Sequence, residues 1–567
     1  MKIALHNTFF GQEVAETELA RRIAVAARCL GWEAIEVATS DQIISLQPDF
    51  VLALHFRTPK LTGLPTYGCL WNPPSFMEQA PEFVRNVLSY DAYLTSSEGT
   101  SQWVRDLLRR TAKRTFFAPF YTSCPRGRWR SPSLDSPRLV YFGTNWDGSR
   151  YQELFRELAT LPFFDVYGPS GRWGHAAVAY RGPLPFDGES VLDVLNRSGA
   201  GLCLHRPEHR EAGIPSPRIF EIAASGAVAI CQRHVFIEEK FGDAVLYLDE
   251  ELGPAQMAAQ IAERFKWIGE DREKAEAMSQ RAHAIFEREF SLETLLEEIG
   301  RQHRELVNTK GLSKSARARS QGHVQAVVRT GRRSPAKLSR ALASIANQTY
   351  PDLSVLIVKD GPQDIEYALG SCRPGSKVEV IQVPPDNPRS TNLWLGLNAA
   401  RGEFVANLDD DDVWLPNHLA TLVPLVAGDR KTALAYSGAV RRLEQDSPDA
   451  PALPAEAASL VYHDHFDRER LFSIKNYIAS NAWVVRQELV REAGDDPRLD
   501  VWEDLLLLLR FAQVTDFAFS GEVTAQYFHR TSLTDNAVFL PADAWEAAAN
   551  RIRQMIWKPT AELEVQR

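Results

Sequence analysis

Asn407-Leu408-Asp409-Asp410-Asp411-Asp412-Val413-Trp414-Leu415-Pro416 places four consecutive aspartates directly behind the apolar run Gly402 to Leu408. Carboxylates this close repel one another, and the repulsion is costly unless a cation or water offsets it. The apolar run predicts a β-strand, so the acids would lie at its carboxyl end, where α/β sheets bind ligands. A hard cation such as Mg²⁺ or Mn²⁺ would accept these oxygens as ligands. A solvated acidic turn before a helix that begins near Leu415 is the alternative.

The acidic run closes a series of alternating strands and helices, which is the pattern of a parallel α/β sheet. In order, the series contains a strand over Gln325–Val328, Thr330, a helix over Pro335–Asn347, Gln348-Thr349-Tyr350-Pro351, a strand over Leu353–Val358, Lys359-Asp360-Gly361, a strand over Val378–Val383, and then the acidic run. This order resembles the nucleotide-sugar half of family 2 glycosyltransferases, which have the GT-A fold. The resemblance covers about Val324 to Asn536.

The resemblance to family 2 implies a site for the sugar donor. Thr330 and Asp360 take the positions at which the family holds the nucleobase and the ribose. The family commonly has an Arg-Asn pair before the strand that leads to its DxD motif. This chain has Leu393-Trp394 in that register, and Arg389 and Asn392 are the nearby candidates to substitute for the pair. Lys359 also stands where the family usually has a first aspartate.

Within the acidic run, the resemblance assigns different roles to the four carboxylates. Asp409 and Asp411 match the DxD motif, with Asp411 as the principal ligand of a divalent cation, Mn²⁺ or Mg²⁺, and Asp409 in contact with the ribose or the metal. Asp412 is expected to support this arrangement, and Asp410 is expected to point away. His529 is a further candidate for binding the metal or the diphosphate, although a surface turn would explain it as well.

Trp502-Glu503-Asp504, followed by a leucine-rich helix, resembles the ED motif of the same family. An acceptor hydroxyl has a high pKa, so a carboxylate must take its proton as the sugar bond forms. We expect Asp504 to be that base and Glu503 to be the second choice; an acidic pair that stabilises a helix N-terminus is the alternative. Asn476 and Ser480 precede the motif where the family often lines the acceptor side.

The first 306 residues alternate strands and helices twice, which predicts two Rossmann-like halves with a cleft between them. The predicted strands are Lys2–Phe9, Glu33–Thr39, Asp49–Phe56, Thr66–Trp71, Ala92–Ser96, Arg138–Phe142, Phe163–Tyr167, Gly201–His205, Ala227–Cys231 and Ala244–Leu248. We therefore predict domains at 1–125 and 136–306, a linker at 307–322 and a third domain at 323–560.

The second half contains a loop and a helix that would bind a diphosphate. Ser216 and Pro217 suit the start of a helix, whose N-terminus favours phosphate. Arg218 could clamp a diphosphate and Glu221 could bind ribose hydroxyls. With Gly143, Arg206 and neighbouring residues, this stretch resembles the donor half of GT-B glycosyltransferases of family 4 and of the spore-maturation type. The resemblance covers about Met1 to Leu306, but the first glutamate of the family 4 pair is absent.

Composition narrows the function classes. The chain has 567 residues, 44% hydrophobic and 24% charged, and a net charge of −9, which gives no support for nucleic-acid binding. The six cysteines have no metal spacing, and the N-terminus begins with a strand-like run. These features predict a cytoplasmic protein. A lipid-linked acceptor would add peripheral association with the inner membrane face.

The combined reading is an α/β enzyme with a GT-B-like pair of domains and a C-terminal GT-A domain. It would move sugar from a nucleotide-diphosphate sugar to a glycan or lipid-linked glycan, as in the synthesis of bacterial surface polysaccharide. The GT-A domain would be metal-dependent and inverting, and the GT-B pair would be a second transferase. Three alternatives stay open: an N-terminal part that only binds the acceptor, a metal-dependent phosphohydrolase, and a non-enzymatic binding protein. Donor sugar, nucleotide, acceptor and oligomeric state do not follow from the sequence.

Overall fold

The computed structural model describes residues 1–145, 151–249, 252–310, 318–331, 335–385, 387–429, 431–445, 452–493, 499, 501–531 and 542–556. The central parts of the predicted linker, 311–317, and the end of the predicted third domain, 557–560, lie outside these ranges, as does Trp146 of the predicted turn after Gly143. Three α/β units follow one another along the chain.

In the described residues, the first unit has a parallel six-stranded sheet in the order β2-β1-β3-β4-β5-β6. Its elements are β1 (Lys2–His6), α1 (Ala15–Cys29), β2 (Glu33–Val37), α2 (Ser40–Leu46), β3 (Phe50–Ala53), β4 (Thr66–Leu70), α3 (Pro74–Met77), α4 (Pro81–Ser89), β5 (Ala92–Thr95), α5 (Glu98–Leu108) and β6 (Phe117–Pro119). Helix α1 buries Leu19, Ile23 and Ala27 at the spacing of one helix face, and this face packs on the sheet.

The second unit, over the ranges described, has a six-stranded parallel sheet in the order β12-β11-β10-β7-β8-β9. Its elements are β7 (Arg138–Phe142), α6 (Gln152–Leu158), β8 (Phe164–Tyr167), β9 (Tyr180–Gly182), α7 (Ser190–Ser198), β10 (Gly199–Cys203), α8 (Pro207–Glu211), α9 (Pro217–Ser225), β11 (Val228–Gln232), α10 (Val235–Phe241), β12 (Leu246–Leu248), α11 (Pro254–Glu270), α12 (Arg272–Ile285) and α13 (Leu292–Thr309). The strand order reverses between β7 and β10, and such a switch point opens a crevice for ligands.

Helix α13 does not stay with the second unit, to which the sequence assigned it. It returns to the first unit, where Nδ1 of His303 lies 2.6 Å from the hydroxyl oxygen of Tyr67. A Cβ atom at Gly300 would lie 2.5 Å from the ring of Trp32, so the missing side chain allows this close packing. The physical reason is an apolar face, including Leu296 and Ile299, that is buried in the first core.

The third unit has a mixed sheet in the order β15-β14-β13-β16-β20-β18-β21-β17, with β19 paired to β18. Its elements are β13 (Val324–Thr330), α14 (Pro335–Ala346), β14 (Leu353–Asp360), α15 (Glu366–Leu369), β15 (Val378–Val383), α16 (Arg389–Ala399), β16 (Phe404–Asp409), β17 (Val413–Trp414), α17 (His418–Gly428), β18 (Leu434–Glu444), β19 (Ala458–Tyr462), α18 (Arg468–Phe472), β20 (Trp483–Arg486), α19 (Gln487–Ala493), α20 (Glu503–Val514), β21 (Phe517–Arg530) and α21 (Ala542–Ile556).

The parallel strands β13 to β16 form one half of this sheet, and residues from alternate positions along β13 enter two separate cores. The five leucines of α20 are all buried. Two Rossmann-like units followed by a mixed-sheet unit are the predicted GT-B-like pair and GT-A domain, so the predicted fold class is confirmed. No helix of the described ranges is long and apolar enough to cross a bilayer.

The third unit packs against the first. Leu61, from the loop after β3, lies in an apolar cluster with Val440 and Leu460. Glu456 accepts hydrogen bonds from the backbone nitrogen and the hydroxyl of Ser40, at 2.7 and 2.6 Å, and so caps the N-terminus of α2 from another unit.

Buried charges join the same two units. The ammonium of Lys310, at the end of α13, lies 3.2 Å from Asp91 of the first unit and 2.8 Å from Glu522 of the third. Lys60 donates to Asp91 at 2.7 Å as well. Each of these side chains is at least nine-tenths buried, so their charges depend on one another for solvation.

Candidate functional site

The acidic run begins where β16 ends, beside the end of β13. In their parallel register, Arg329 lies opposite Asp409. The carboxyl ends of β13, β14 and β16 thus meet around a cavity of about 150 Å³. It is lined by Arg329, Thr330, Gly331, Asp360, Arg389, Asn392, Asp409 and Asp410. Four residues predicted for donor binding, Thr330, Asp360, Arg389 and Asp409, are therefore brought together.

Arg329 connects the two acidic motifs of this unit. Its Nε donates to Oδ1 of Asp409 at 2.8 Å, its Nη2 donates to Oδ2 of the same residue at 3.0 Å, and its Nη1 donates to Oε1 of Glu503 at 3.0 Å. The guanidinium side chain is only 10% exposed, so these charge-assisted bonds form largely away from water. No role was predicted for Arg329. A lone arginine at the end of the apolar strand Val324–Val328 is the signal that could have found it.

The four aspartates split into two pairs. Asp410 lines the cavity and accepts a hydrogen bond from the hydroxyl of Thr330 at 2.8 Å, so the expectation that it points away is wrong. Asp411 faces the other side, 3.4 Å from Nη2 of Arg530, and Oδ1 of Asp412 accepts from the backbone nitrogen of Phe528 at 3.1 Å. The turn after β16 therefore sends one pair towards the cavity and the other towards β21.

Glu503 and Asp504 begin helix α20. The preceding residue, Trp502, has a φ of 60°, a left-handed conformation that costs a non-glycine residue of order 1 kcal/mol. Its indole ring packs edge-on against Trp545, with ring centroids 5.0 Å apart. This turn directs the acidic pair towards Arg329, and a strained backbone of this kind is common at functional sites.

Their surroundings shift the pKa values of Glu503 and Asp504 in opposite directions. Burial opposes ionisation of Glu503, but the guanidiniums of Arg389 and Arg329 hold its pKa below the usual value. Burial, reinforced by the negative charge of Glu503, raises the pKa of Asp504 to about 6. Two neighbouring carboxyls with separated pKa values can hold different protonation states near neutral pH, which is what a general base needs.

The residues predicted to bind a divalent cation are Asp409, Asp411 and His529. In the part of the chain that is described, no three His, Cys, Asp or Glu side chains are grouped as a metal site. Mg²⁺ commonly uses only one or two carboxylates together with substrate phosphates and water. Asp409 lines the cavity but Arg329 contacts both of its oxygens, whereas Asp411 faces β21, so a cation at the cavity needs the turn after β16 to bring Asp411 round to Asp409. Burial, with Arg441 and Arg530 nearby, lowers the pKa of His529, which favours the neutral ring that ligates metals.

The two residues predicted for the acceptor side do not line this cavity. Oδ1 of Asn476 accepts from the backbone nitrogen of Ile478 at 3.0 Å, within its own loop. The carbonyl oxygen of Ser480 accepts from Nδ2 of Asn407 at 3.5 Å, behind the strand β16. Both residues therefore have contacts that an ordinary loop would provide.

A second cavity, of about 300 Å³, lies between the first and second units at the predicted cleft. Gly143 and Glu221, two predicted donor residues, line it together with Glu18 and Arg22 of α1. The remaining wall is largely apolar and includes Tyr167, Pro183, Leu184, Pro185 and Phe186. A concave apolar wall with a few converging polar groups is typical of a ligand site.

Arg218 and Arg206, the other predicted donor residues of this cleft, have different surroundings. Nε of Arg218 donates to the carbonyl oxygen of Phe142 at 2.6 Å, and its guanidinium lies over the ring of Tyr141 at 4.4 Å. It also faces Gly143, where a Cβ atom would lie 2.5 Å from Nη2. Arg206 instead lies over the ring of Phe76 in the first unit, at 5.6 Å, and does not line the cavity.

Glu221 forms an ion pair across the cleft that was not predicted. Nη1 of Arg22 lies 2.9 Å from Glu221, and Nη2 of the same residue lies 2.7 Å from Glu18. Arg22 is 4% exposed, so this pair of bonds joins the two units in a water-poor environment. A charged pair at i, i+4 on the otherwise apolar face of α1 is the sequence signal for it.

Comparison with known proteins finds two families in the chain. Residues 149–300 match the family described as "Glycosyl transferase-like", and residues 327–491 match glycosyl transferase family 2. An uncharacterized glycosyltransferase of Nostoc sp. is 32% identical over 133 residues, which are 22% of this chain and 41% of the relative. The succinoglycan biosynthesis protein ExoW of Rhizobium meliloti is 39% identical over 89 residues, 15% of this chain and 28% of that protein. The chain thus spans well under half of these relatives.

Among solved structures, residues 1–349 of S. aureus TarS are similar at 17% identity and a TM-score of 0.27, over 36% of this chain and 60% of that one.

Proposed function

We propose that this chain, in which a glycosyl transferase-like domain precedes a family 2 glycosyl transferase domain, transfers a sugar from a nucleotide-diphosphate sugar to a hydroxyl of a glycan acceptor. One observation carries the proposal. Thr330, Asp360, Arg389 and Asp409, chosen from separate motifs, line a single cavity, and a carboxyl with a raised pKa stands beside it.

In this proposal, each side chain of the third unit has a task. Thr330 and Asp360 bind the nucleoside, and one oxygen of Asp360 is buried with no hydrogen-bond partner among the described residues, as expected of a group that awaits a ligand. Arg389, whose side chain is 47% exposed, binds the diphosphate and keeps Glu503 ionised. Arg329 holds Asp409 and Glu503 at a fixed separation.

Asp504 accepts the proton of the attacking hydroxyl while the oxygen bonds to the anomeric carbon of the donor. The bond from that carbon to the diphosphate breaks, and the nucleoside diphosphate leaves with the electron pair. Attack from the side opposite the leaving group inverts the anomeric centre. A divalent cation held by Asp411 with Asp409 or His529, once the turn after β16 brings Asp411 to the cavity side, would supply positive charge next to the leaving diphosphate.

A donor screen tests this proposal directly. Full-length protein is incubated with UDP-, GDP-, dTDP- and CDP-sugars, with Mn²⁺, Mg²⁺ or EDTA, and the release of nucleoside diphosphate is measured. Asp504→Asn should lower turnover by about 10²- to 10⁴-fold, the range typical of a general base. Glu488→Gln, the same carboxylate-to-amide change at an exposed position of helix α19 that does not line the cavity, serves as the matched control. Release of inorganic phosphate without a glycoside product would instead identify a phosphohydrolase.

The cleft between the first two units supports a second transferase. Its cavity of about 300 Å³ has space for a nucleoside, and Arg218 lies at the N-terminal end of α9 next to the loop after β7. Separate variants discriminate the alternatives. If Arg218→Ala and Asp411→Ala each abolish transfer with a different donor, both units are enzymes. If only Asp411→Ala abolishes transfer, the N-terminal units bind the acceptor.

The biological setting that we infer is the assembly of a bacterial surface polysaccharide. The partial similarity to a protein named for succinoglycan biosynthesis supports it. Two transferase units on one chain would add successive sugars to one glycan, and a lipid-linked acceptor would bring the protein to the inner membrane face. Deletion of the gene should abolish the surface polysaccharide, which tests the first inference. Fractionation of cells should find the protein with the inner membrane, which tests the second.

A further inference from the structure

One face of the part of the third sheet formed by β19, β18 and β21 carries two tyrosines and an arginine. Strand β21 places Tyr527 directly opposite Arg441 of β18, and β19 places Tyr462 opposite Ala439 of β18. Residues paired across neighbouring strands share a face, so Tyr462, Tyr527 and Arg441 lie on the same side of the sheet. The two phenol rings are 5.5 Å apart at an angle of 50°.

Tyr527 directly precedes Phe528, whose backbone nitrogen donates to Oδ1 of Asp412 at 3.1 Å, so this face adjoins the end of the acidic run. Burial and the nearby charge of Asp504 raise the pKa of the Tyr462 phenol. Burial raises the pKa of Tyr527 too, and the charge of Asp412 adds to the effect while Arg441 opposes it. Tyr462 is thus within electrostatic reach of the proposed base, and Tyr527 is within reach of the end of the acidic run.

Arg441 has hydrogen-bonding capacity to spare. It is partly buried, and its Nε donates to the hydroxyl of Ser459 at 3.2 Å. Among the described residues, no carboxylate lies within ion-pair distance of it, whereas its neighbour Arg442 pairs with Asp41 on the opposite face. A guanidinium has five donors, and withdrawing it from water is costly unless an anion pairs with it.

We propose that Tyr462, Tyr527 and Arg441 form an acceptor subsite for an acidic sugar, with the pyranose ring against the tyrosines and a carboxylate on Arg441. The subsite rests on the proposed transferase function, because the charge of Asp504, the proposed base, acts on Tyr462. Tyrosine suits the task since its ring offers apolar contact and its hydroxyl a hydrogen bond. A planar guanidinium binds a carboxylate through two parallel hydrogen bonds.

Two glycosides that differ by one carboxylate provide the test. Binding of p-nitrophenyl β-D-glucuronide and p-nitrophenyl β-D-glucoside to the full-length protein is followed by saturation-transfer NMR titration, without donor. The glucuronide should bind about tenfold more tightly, which is typical of one charge-assisted pair. Arg441→Gln should remove this preference and leave binding of the glucoside unchanged. Tyr527→Leu should weaken binding of both glycosides.

Arg442→Gln is the matched control, because it also removes one arginine charge, from the next residue of β18, which faces the other side of the sheet. In this variant the preference for the glucuronide should persist. Thermal unfolding and circular dichroism verify that each variant is folded. Equal binding of both glycosides to the unaltered protein, or a preference that survives Arg441→Gln, would overturn the subsite. Because no donor is present, the glycoside-binding result is independent of the donor screen. The subsite proposal can be refuted while donor turnover is observed, and the subsite can be supported while no donor is turned over.

Discussion

Arg329→Met is expected to destabilise the third unit strongly and in a pH-dependent way. The wild-type guanidinium makes three hydrogen bonds of 2.8 to 3.0 Å to Asp409 and Glu503, and it is only 10% exposed. Removing one partner from a buried ion pair leaves uncompensated charge and costs about 3–5 kcal/mol. At roughly 2–4 °C per kcal/mol for a unit of this size, the unfolding temperature should fall by about 10 °C.

The pH dependence follows from Glu503. Its pKa in the folded wild type lies below the usual value, so its ionisation stabilises the fold above the unfolded pKa and this contribution is lost as pH falls through the folded pKa. In the variant, the folded pKa of Glu503 rises, because Arg329 no longer favours the charged form. The difference between wild type and variant should therefore be largest near pH 7 and should narrow below about pH 5.

Differential scanning calorimetry of the full chain at pH 7.5 and pH 4.5 measures this difference. Arg401→Met, at an exposed position of the same unit, is the matched control and should shift the transition by less than about 2 °C. A similarly small shift for Arg329→Met, or a difference that does not narrow in acid, would refute the argument that Arg329 neutralises a buried pair of carboxylates.

Three further outcomes are expected. Donor turnover by the third unit should fall as pH drops through about 6, because Asp504 must be ionised to accept a proton and its pKa is raised to about 6; a flat pH–rate profile from pH 5 to 8 would contradict this. Gly143→Ala should displace Arg218 and weaken nucleotide binding in the N-terminal cleft by about tenfold, as measured by calorimetry, without affecting turnover in the third unit. Lys310→Met should leave the buried carboxylate of Glu522 without its cation, whereas Asp91 keeps Lys60, and should cost about 3–5 kcal/mol, seen as faster amide exchange at the contact between the first and third units.

The parallel parts of the three sheets could be predicted closely from sequence. The predicted strands Glu33–Thr39 and Thr66–Trp71 correspond to Glu33–Val37 and Thr66–Leu70 in the structure. Such strands are buried on both faces, so their apolar runs end where the chain leaves the core. The apolar residues of each strand and the turn residues beside it are therefore enough to locate the strand from its local sequence.

The strands on the other side of the third sheet are different. Strands β18 and β21 lie outside every predicted element, although together they form the longest pairing of the third sheet. Their pairing joins residues about 80 positions apart, and its register shifts around Gly438. A bulged, half-polar strand has neither a continuous apolar run nor strict alternation, so its partner and register emerge only in three dimensions.

The site shows the same division. Motif order alone brought Thr330, Asp360 and Asp409 to one cavity. Which of four adjacent aspartates turns inward depends on the backbone of a tight turn, and Asp410 was misassigned for that reason. Arg329 was overlooked because a basic residue at the end of a strand has the same sequence signature whether it is exposed or buried between two carboxylates.

The buried ammonium of Lys310 has a consequence for how the polypeptide holds together. It is the last described residue before the connection to Ala318, and it is shared between carboxylates of the two bodies that this connection joins. The covalent link is thus duplicated by a non-covalent one, which Glu456 and Ser40 extend. A chain nicked by a protease between Lys310 and Ala318 should consequently elute from a sizing column as one particle, and gene halves expressed separately should reassociate.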